Sequence, residues 1–204
     1  SILRLMKRRY NTKLYRSRVE KINKFMPDAC IGVDVIVGFP GENDDLFLET
    51  MGFLENLNIS YLHVFTYSER DNTHAISLPD SVDANVRAKR SKLLRLLSSR
   101  KKATFYERNV GSIQDVLFES EEKDGFIEGF SSNYIRFRRP LDPNLIGTIV
   151  KSIFIDIDSK GFASFKSASI AGFVISPIAI ISSFGLEASL RGGRIVSILI
   201  SGVV

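Results

Sequence analysis

The sequence predicts an α/β chain in which parallel βα units precede a small all-β module. The apolar run Cys30 to Val37 stops at Gly38-Phe39-Pro40-Gly41 and enters an acidic segment at Glu42, as an interior parallel strand buried on both faces does. Helix and strand patterns then alternate with short joins, which argues for right-handed βα units in a parallel sheet or barrel. After Gly111 the pattern changes to short strands separated by turn residues.

Residues 11 to 26 form an amphipathic helix with Leu14, Val19, Ile22 and Phe25 on its apolar face, and Pro27 ends it. The strand at 30 to 37 follows. Glu42 to Asn58 is the next helix, with Asn43, Asp44 and Asp45 at its N-terminus and Leu46, Phe47, Met51, Phe53, Leu54 and Leu57 facing the core. Ile59 to Tyr67 is a second apolar strand, and Ser68 to Asp83 is a polar loop long enough to be functional. Residues 84 to 109 make a long basic helix. Its Leu93, Leu94, Leu96 and Leu97 face the core, and its Arg and Lys face outward to solvent or to phosphate. The β module comprises Ile113 to Glu119, a turn at Lys123-Asp124-Gly125, Phe126 to Phe130, Tyr134 to Arg138, and Thr148 to Asp156.

Composition narrows the chemistry. With 44% hydrophobic and 25% charged residues, 204 residues suit one medium domain plus a small one. The net charge of +5 favours a polyanionic partner. Cys30 is the only cysteine, so the chain forms no internal disulfide and cannot by itself hold an iron–sulfur cluster on cysteines or a zinc finger. A reduced, cytoplasmic setting is expected. Ser1 to Tyr10 lacks the character of a signal peptide and reads as the edge of a fragment. Ser167 to Leu186 carries no charge, yet Pro177 and the serines dilute it. It reads as irregular strands or as sequence unrelated to the rest, in preference to a membrane span.

Asp34 is the first candidate site residue, because a carboxylate in a β-branched run must be paired, hydrogen-bonded or beside a ligand. The Gly38–Glu42 turn lacks the Gly-Lys-Ser/Thr ending of a P-loop and the spacing of a dinucleotide fingerprint. Its glycines let a ligand approach the backbone, and the following helix N-terminus favours a carboxylate or phosphate. Tyr134-Ile135-Arg136-Phe137-Arg138-Arg139 sets Arg136 and Arg138 on one strand face. Such a face suits RNA phosphates and base stacking, and equally an exposed face that is merely basic. His63 and His74, the only histidines, are too few and too far apart for a metal site, and no Ser/His/Asp nucleophile arrangement is visible.

Three ordered segments carry a resemblance: Ile2-Leu3-Arg4-Leu5-Met6-Lys7-Arg8-Arg9-Tyr10, Val33-Asp34-Val35-Ile36-Val37-Gly38-Phe39-Pro40-Gly41-Glu42, and Tyr61-Leu62-His63-Val64-Phe65-Thr66-Tyr67-Ser68-Glu69-Arg70. Together they resemble the radical SAM tRNA methylthiotransferases, and the third looks most like the branch acting on N6-threonylcarbamoyladenosine at position 37 of tRNA. Val116-Leu117-Phe118-Glu119 and Ser132-Asn133-Tyr134-Ile135-Arg136 resemble the RNA-binding TRAM domain, and the resemblance runs from Ile2 to about Phe165.

The resemblance implies the C-terminal βα units of a partial TIM-type radical SAM barrel in residues 1–109, a TRAM-like module in 110–165, and an atypical apolar tail in 166–204. It implies S-adenosylmethionine and two 4Fe-4S clusters as cofactors, one cluster cleaving S-adenosylmethionine and the other delivering sulfur. The tRNA anticodon loop is the implied partner. Arg8, Asp34, Gly38, Pro40 and Glu42 would face S-adenosylmethionine; Ser68, Arg70 and Thr73 would face the adenosine; Tyr134, Arg136 and Arg138 would face tRNA. The family's C-x3-C-x2-C triplet and its N-terminal cluster domain are absent from this sequence, so the expectation is a fragment inactive alone. Asn72 and His74 stand where relatives usually carry Gly and Pro, which predicts a differently shaped loop. The rival expectations are a non-catalytic RNA-binding fragment and a broken gene product without function.

Overall fold

The computed structural model describes residues 2–122, 125–159, 161–167 and 195–198. It is mixed α/β and divides into two compact units, with the boundary after Lys102.

In the first unit, α1 (Ile2–Leu5) and α2 (Thr12–Phe25) precede β1 (Cys30–Val37); α3 (Asp44–Glu55) and β2 (Tyr61–Thr66) follow, and α4 (Ala84–Glu107) begins after the loop. β1 and β2 pair in parallel, with Gly32 opposite Tyr61, Asp34 opposite His63 and Val37 opposite Thr66. A further strand, β8 (Ile195–Ile198), gives the sheet the order β2-β1-β8. The helix starts follow local chemistry. Asn11 and Asn43 cap α2 and α3, each accepting from the amide three residues on, Leu14 and Leu46, over 2.9 Å.

Among the described residues, the helices pack on one face of the sheet. Ile31, Val33, Val35, Val37 and Leu62 pack with Tyr15 and Val19 of α2, Phe47 and Leu54 of α3, and Leu94 and Leu97 of α4. On the opposite face Asp34 and Ile36 are half-buried, while His63 and Phe65 are exposed. β1 is buried on both faces over Cys30–Val33, as its apolar run suggests, and beyond Val33 alternate residues separate a helix-packed side from an open, partly polar one. Corrections of the same kind apply to the helices. Leu14, Phe25, Leu93 and Leu96 are exposed, whereas Arg87 and Arg90 are buried on the stripe that continues to Leu94 and Leu97. Cys30 is buried, as expected of a small apolar side chain.

In the second unit, β3 (Ile113–Glu122), β4 (Phe126–Ser131), β5 (Arg136–Pro140), β6 (Ile149–Ile157) and β7 (Ala163–Ser167) close into a barrel of order β3-β4-β5-β7-β6. The β5–β7 pair is parallel and the others antiparallel. Val116, Phe118, Ile127, Phe137 and Phe154 fill its interior, with the Phe137 and Phe154 rings edge to face at 5.6 Å. The sequence did not signal β7. β5 also begins two residues later than expected, because Tyr134 has φ +66°. A buried polar chain fixes that turn: Asn133 Nδ2 donates to Asn109 Oδ1 (2.9 Å), Ser131 Oγ to Asn133 Oδ1 (2.7 Å), and the Ile135 amide to Ser131 Oγ (2.9 Å).

Among the described residues no helix is long and apolar enough to cross a membrane. The expected apolar tail, 166–204, lies outside the described residues except for 166–167 and 195–198.

Candidate functional site

β1 and β2 end side by side. The Tyr67 amide donates to Val37 O over 2.9 Å, so the turn after β1 and the loop after β2 leave from adjacent carboxyl ends, the edge where parallel sheets carry ligand sites.

Asp34 lies on the open face beside His63. The Tyr61 ring covers Gly32, where an added Cβ would stand 2.5 Å from the ring carbon Cζ, and it meets the His63 ring edge to face at 4.9 Å. Asp34, His63 and Tyr61 thus present a carboxylate, an imidazole and a phenol ring together on one side. Near the end of β1, Gly38 has φ +82° and donates its amide to Glu42 Oε2 over 2.8 Å. The same oxygen accepts from Arg90 Nη1 at 2.7 Å, and Arg90 Nη2 reaches Asp44 Oδ1 at 2.7 Å. Glu42 Oε1 is buried without a hydrogen-bond partner. Burial pushes the Glu42 carboxyl above its ordinary range, outweighing the Gly38 amide and the Arg90 guanidinium that favour the anion. The Glu42 side chain is therefore turned inward and organises the turn. Pro40 is buried in it, and Gly41, at φ +86°, lies against Ile2 and Leu5 of α1. Arg8 follows in the turn after α1, half-buried, its amide bonded to Leu3 O (2.8 Å).

The loop after β2 is open. Ser68, Arg70 and Thr73 are exposed, and Thr73 Oγ1 donates to Arg70 O over 2.8 Å. Asn72 adopts φ +63°, so it keeps a left-handed backbone that glycine would favour and that asparagine tolerates. His74 opens a short 3-10 turn, His74–Ser77. Among the described residues, none of the hydrogen bonds made by Ser68, Arg70 or Thr73 joins them to Asp34; the two loops are joined by the Gly41 amide, which donates to Asp80 O over 2.9 Å, and by Arg87, expected on the solvent face, whose stem lies against Gly38. Its guanidinium bonds Tyr67 O, Val82 O and the Glu69 carboxylate. Those bonds hold the Glu69 carboxyl below its ordinary range. The signal for Arg87 and Arg90 was their spacing, in register with Leu94 and Leu97.

In the second unit, Arg136 and Arg138 share the outer face of β5, on either side of buried Phe137. Arg136 pairs with Glu128 and lies over the Phe162 ring at 4.7 Å. Arg138 lies over Phe126 at 4.2 Å and Phe162 at 5.2 Å. Tyr134, 41% exposed, stacks on Phe130 with ring centroids 4.9 Å apart and planes 20° apart. Aromatic faces and guanidinium planes alternate across this surface, the chemistry that stacks unpaired bases and contacts phosphates.

The chain's own donors do not fit an iron–sulfur cluster, since Cys30 is its single thiol and is buried. Among the described residues no group of three or more His, Cys, Asp or Glu is placed to hold a metal ion. On the open face Asp34 offers an acceptor, but the turn glycines do not leave the room for a ligand that the sequence suggests: the Arg87 stem lies against Gly38, Ile2 and Leu5 lie against Gly41, and both glycine amides are bonded within the chain, to Glu42 Oε2 and Asp80 O.

No family model matches the chain. It is 36% identical over 156 residues to the threonylcarbamoyladenosine tRNA methylthiotransferase MtaB of Bacillus subtilis, a match covering 74% of this chain and 34% of that protein. It is 37% identical over 138 residues to the protein of the same name from Aquifex aeolicus, covering 68% and 32%. It is also 41% identical over 132 residues to the tRNA-2-methylthio-N(6)-dimethylallyladenosine synthase of Wolinella succinogenes, covering 63% and 30%. The chain spans about a third of the length of these curated relatives. Proteins named for methylthio modification of two different tRNA nucleosides thus match most of its length, and the chain belongs to the tRNA methylthiotransferase family.

Proposed function

We propose that the protein supplies the S-adenosylmethionine-facing and tRNA-facing parts of an enzyme that adds a methylthio group to C2 of N6-threonylcarbamoyladenosine at position 37 of tRNA by radical SAM chemistry. The observation that carries this reading is the joint ending of β1 and β2, where the glycine turn and the 68–83 loop leave beside the open face bearing Asp34. Residues 1–109 would be the closing βα units of a partial TIM-type barrel, 110–165 a TRAM-like module, and 166–204 an appended tail.

In this reading Asp34 accepts hydrogen bonds from the bound cofactor, and the Gly38, Pro40 and Gly41 backbone walls its site. Glu42 holds that wall from behind, and Arg8 supplies positive charge near it. Ser68, Arg70 and Thr73 contact the target nucleoside, while Tyr134, Arg136 and Arg138 engage the anticodon arm by stacking and charge. S-adenosylmethionine, when bound, would supply the methyl group and radical chemistry, with the electron coming from a cluster held outside this chain. The thiolates of the two 4Fe-4S clusters would come from other sequence, and this reading puts the protein in the cytoplasm.

The single cysteine favours a second reading, a non-catalytic tRNA-binding protein in which the α/β unit only scaffolds. One experiment separates the nucleic-acid claim from generic basicity. Binding of the chain to an anticodon stem-loop is compared, across salt concentrations, for N6-threonylcarbamoyladenosine, N6-dimethylallyladenosine and adenosine at position 37. The proposal expects preference for the first; equal binding to all three and to an unrelated hairpin contradicts it.

A further inference from the structure

We propose that Arg87 is a positioning residue that locks the turn after β1 and the loop after β2 into one relative placement; its importance to chemistry rests on the function proposed above. Its stem crosses Gly38 so closely that an added Cβ there would stand 2.4 Å from Arg87 Cγ. Its guanidinium then spends its donors on both ends of the 68–83 loop. Nε donates to Val82 O (2.7 Å); Nη1 donates to Tyr67 O (3.1 Å) and Glu69 Oε2 (3.1 Å); Nη2 donates to Glu69 Oε1 (2.5 Å) and Ser81 Oγ (3.2 Å). The guanidinium carbon also lies 5.3 Å from the Tyr67 ring centroid, and that ring meets Phe39 edge to face at 5.2 Å.

One side chain thus touches the glycine turn, the departure of the loop and its return. The Arg87 side chain is 10% exposed against 47% for Glu69, so the fork is fixed from within and the carboxylate closes over it. Only a planar, multiply donating group can make these contacts at once, and a lysine ammonium cannot. A second link, Gly41 amide to Asp80 O (2.9 Å), runs between the same two segments and would share the placement that Arg87 sets.

Hydrogen exchange of the chain tests this at three amides. Tyr67 (to Val37 O, 2.9 Å) and Gly41 (to Asp80 O) report the junction, and Ser60 (to Ile31 O, 2.8 Å) reports the opposite end of the strands. In Arg87→Ala, exchange at Tyr67 and Gly41 is expected to rise about 10-fold or more while Ser60 changes less than about 2-fold. Arg87→Lys should recover only part of the protection, and millimolar methylguanidinium should restore some of it to Arg87→Ala. An equal rise at all three amides, or none at Tyr67 and Gly41, overturns the proposal. If Arg87→Ala does not fold, Glu69→Ala keeps the buried stem and removes the carboxylate; faster exchange at Tyr67 is expected, and unchanged exchange there overturns the proposal. Titration of the wild-type chain with S-adenosylhomocysteine is read separately. Its failure would count against the cofactor reading and leave the exchange result standing.

Discussion

The amide of Gly38 donates to Glu42 Oε2 across 2.8 Å, so a side chain four residues on closes the turn that ends β1. The same oxygen receives Arg90 from α4, which ties the turn to a helix distant in sequence. Removing one partner of a buried ion pair leaves the other uncompensated, a loss of about 3–5 kcal/mol. Glu42→Ala should therefore lower the stability of the chain toward urea by about that amount. Glu42→Gln keeps the shape and an acceptor for Gly38, and should cost about 1–2 kcal/mol. Equal losses in the two variants would mean that packing, not the paired carboxylate, supports the turn.

Gly38 is constrained twice, by its backbone and by the Arg87 stem. Gly111 has a similar φ of +85°, but an added Cβ there would meet nothing within 4 Å. Gly111→Ala should cost only the left-handed penalty of about 1–2 kcal/mol. Gly38→Ala should cost about 1–3 kcal/mol more, from overpacking against Arg87. Paired thermal or urea unfolding of the two variants checks the difference.

Glu69 and Glu42 respond to pH in opposite senses. Arg87 holds the Glu69 carboxyl below its ordinary value of 4.5, so its contribution is present above that pH and fades as pH falls through the lowered value. Burial holds the Glu42 carboxyl above 4.5, so the native state binds the extra proton and stability declines as pH rises from 4.5 through the raised value. Unfolding curves between pH 3 and pH 7, on the order of those carboxyl values, should converge for wild type and Glu69→Gln toward the acid end. Glu42→Gln should lack the decline on the upper side. Parallel curves for all three proteins would contradict both assignments.

Tyr134 combines φ +66° with a stack on Phe130 and 41% exposure. A strained aromatic residue held at a surface is suited to a binding role. Tyr134→Gly relieves the backbone and deletes the stack, so stability should move by less than about 1 kcal/mol. Affinity for an anticodon stem-loop should fall by about 1–3 kcal/mol, the worth of one stacked base. Arg138→Ala should lower the slope of log affinity against log salt by about 1. Unchanged affinity in both variants, measured by fluorescence anisotropy, would remove this face from the interface.

The elements built on unbroken or alternating apolar runs were legible: β1, β2 and α3 stand within a few residues of where Val, Ile and Leu spacing put them. What failed were inferences that need a partner. Arg87 and Arg90 carry charge and were assigned to solvent, although they continue the Leu94 and Leu97 stripe, because their acceptors on the two loops appear only in the folded chain. Leu93 and Leu96 were assigned to the core by residue type, against the same periodicity. β7, Ala163–Ser167, has little of the β-branched content that marks a strand, and is recruited by pairing with β6 and β5. The turn at Tyr134 depends on the buried Asn109, Ser131 and Asn133 bonds, for which sequence spacing gives no signal. For the candidate site, Asp34 was visible as a carboxylate in an apolar run, but its neighbour His63 came from strand register alone.

Asp34 on the open face is the central functional claim, and titration of the isotope-labelled chain with S-adenosylhomocysteine tests it most directly. Saturable amide shifts are expected at Asp34, Gly38 and Gly41, and Asp34→Ala should lower the affinity by about 10- to 100-fold, as for a lost charge-assisted hydrogen bond. Loss of stability in that variant should stay within about 0.5 kcal/mol. No saturable shifts at these amides, or equal affinity in Asp34→Ala, would contradict it.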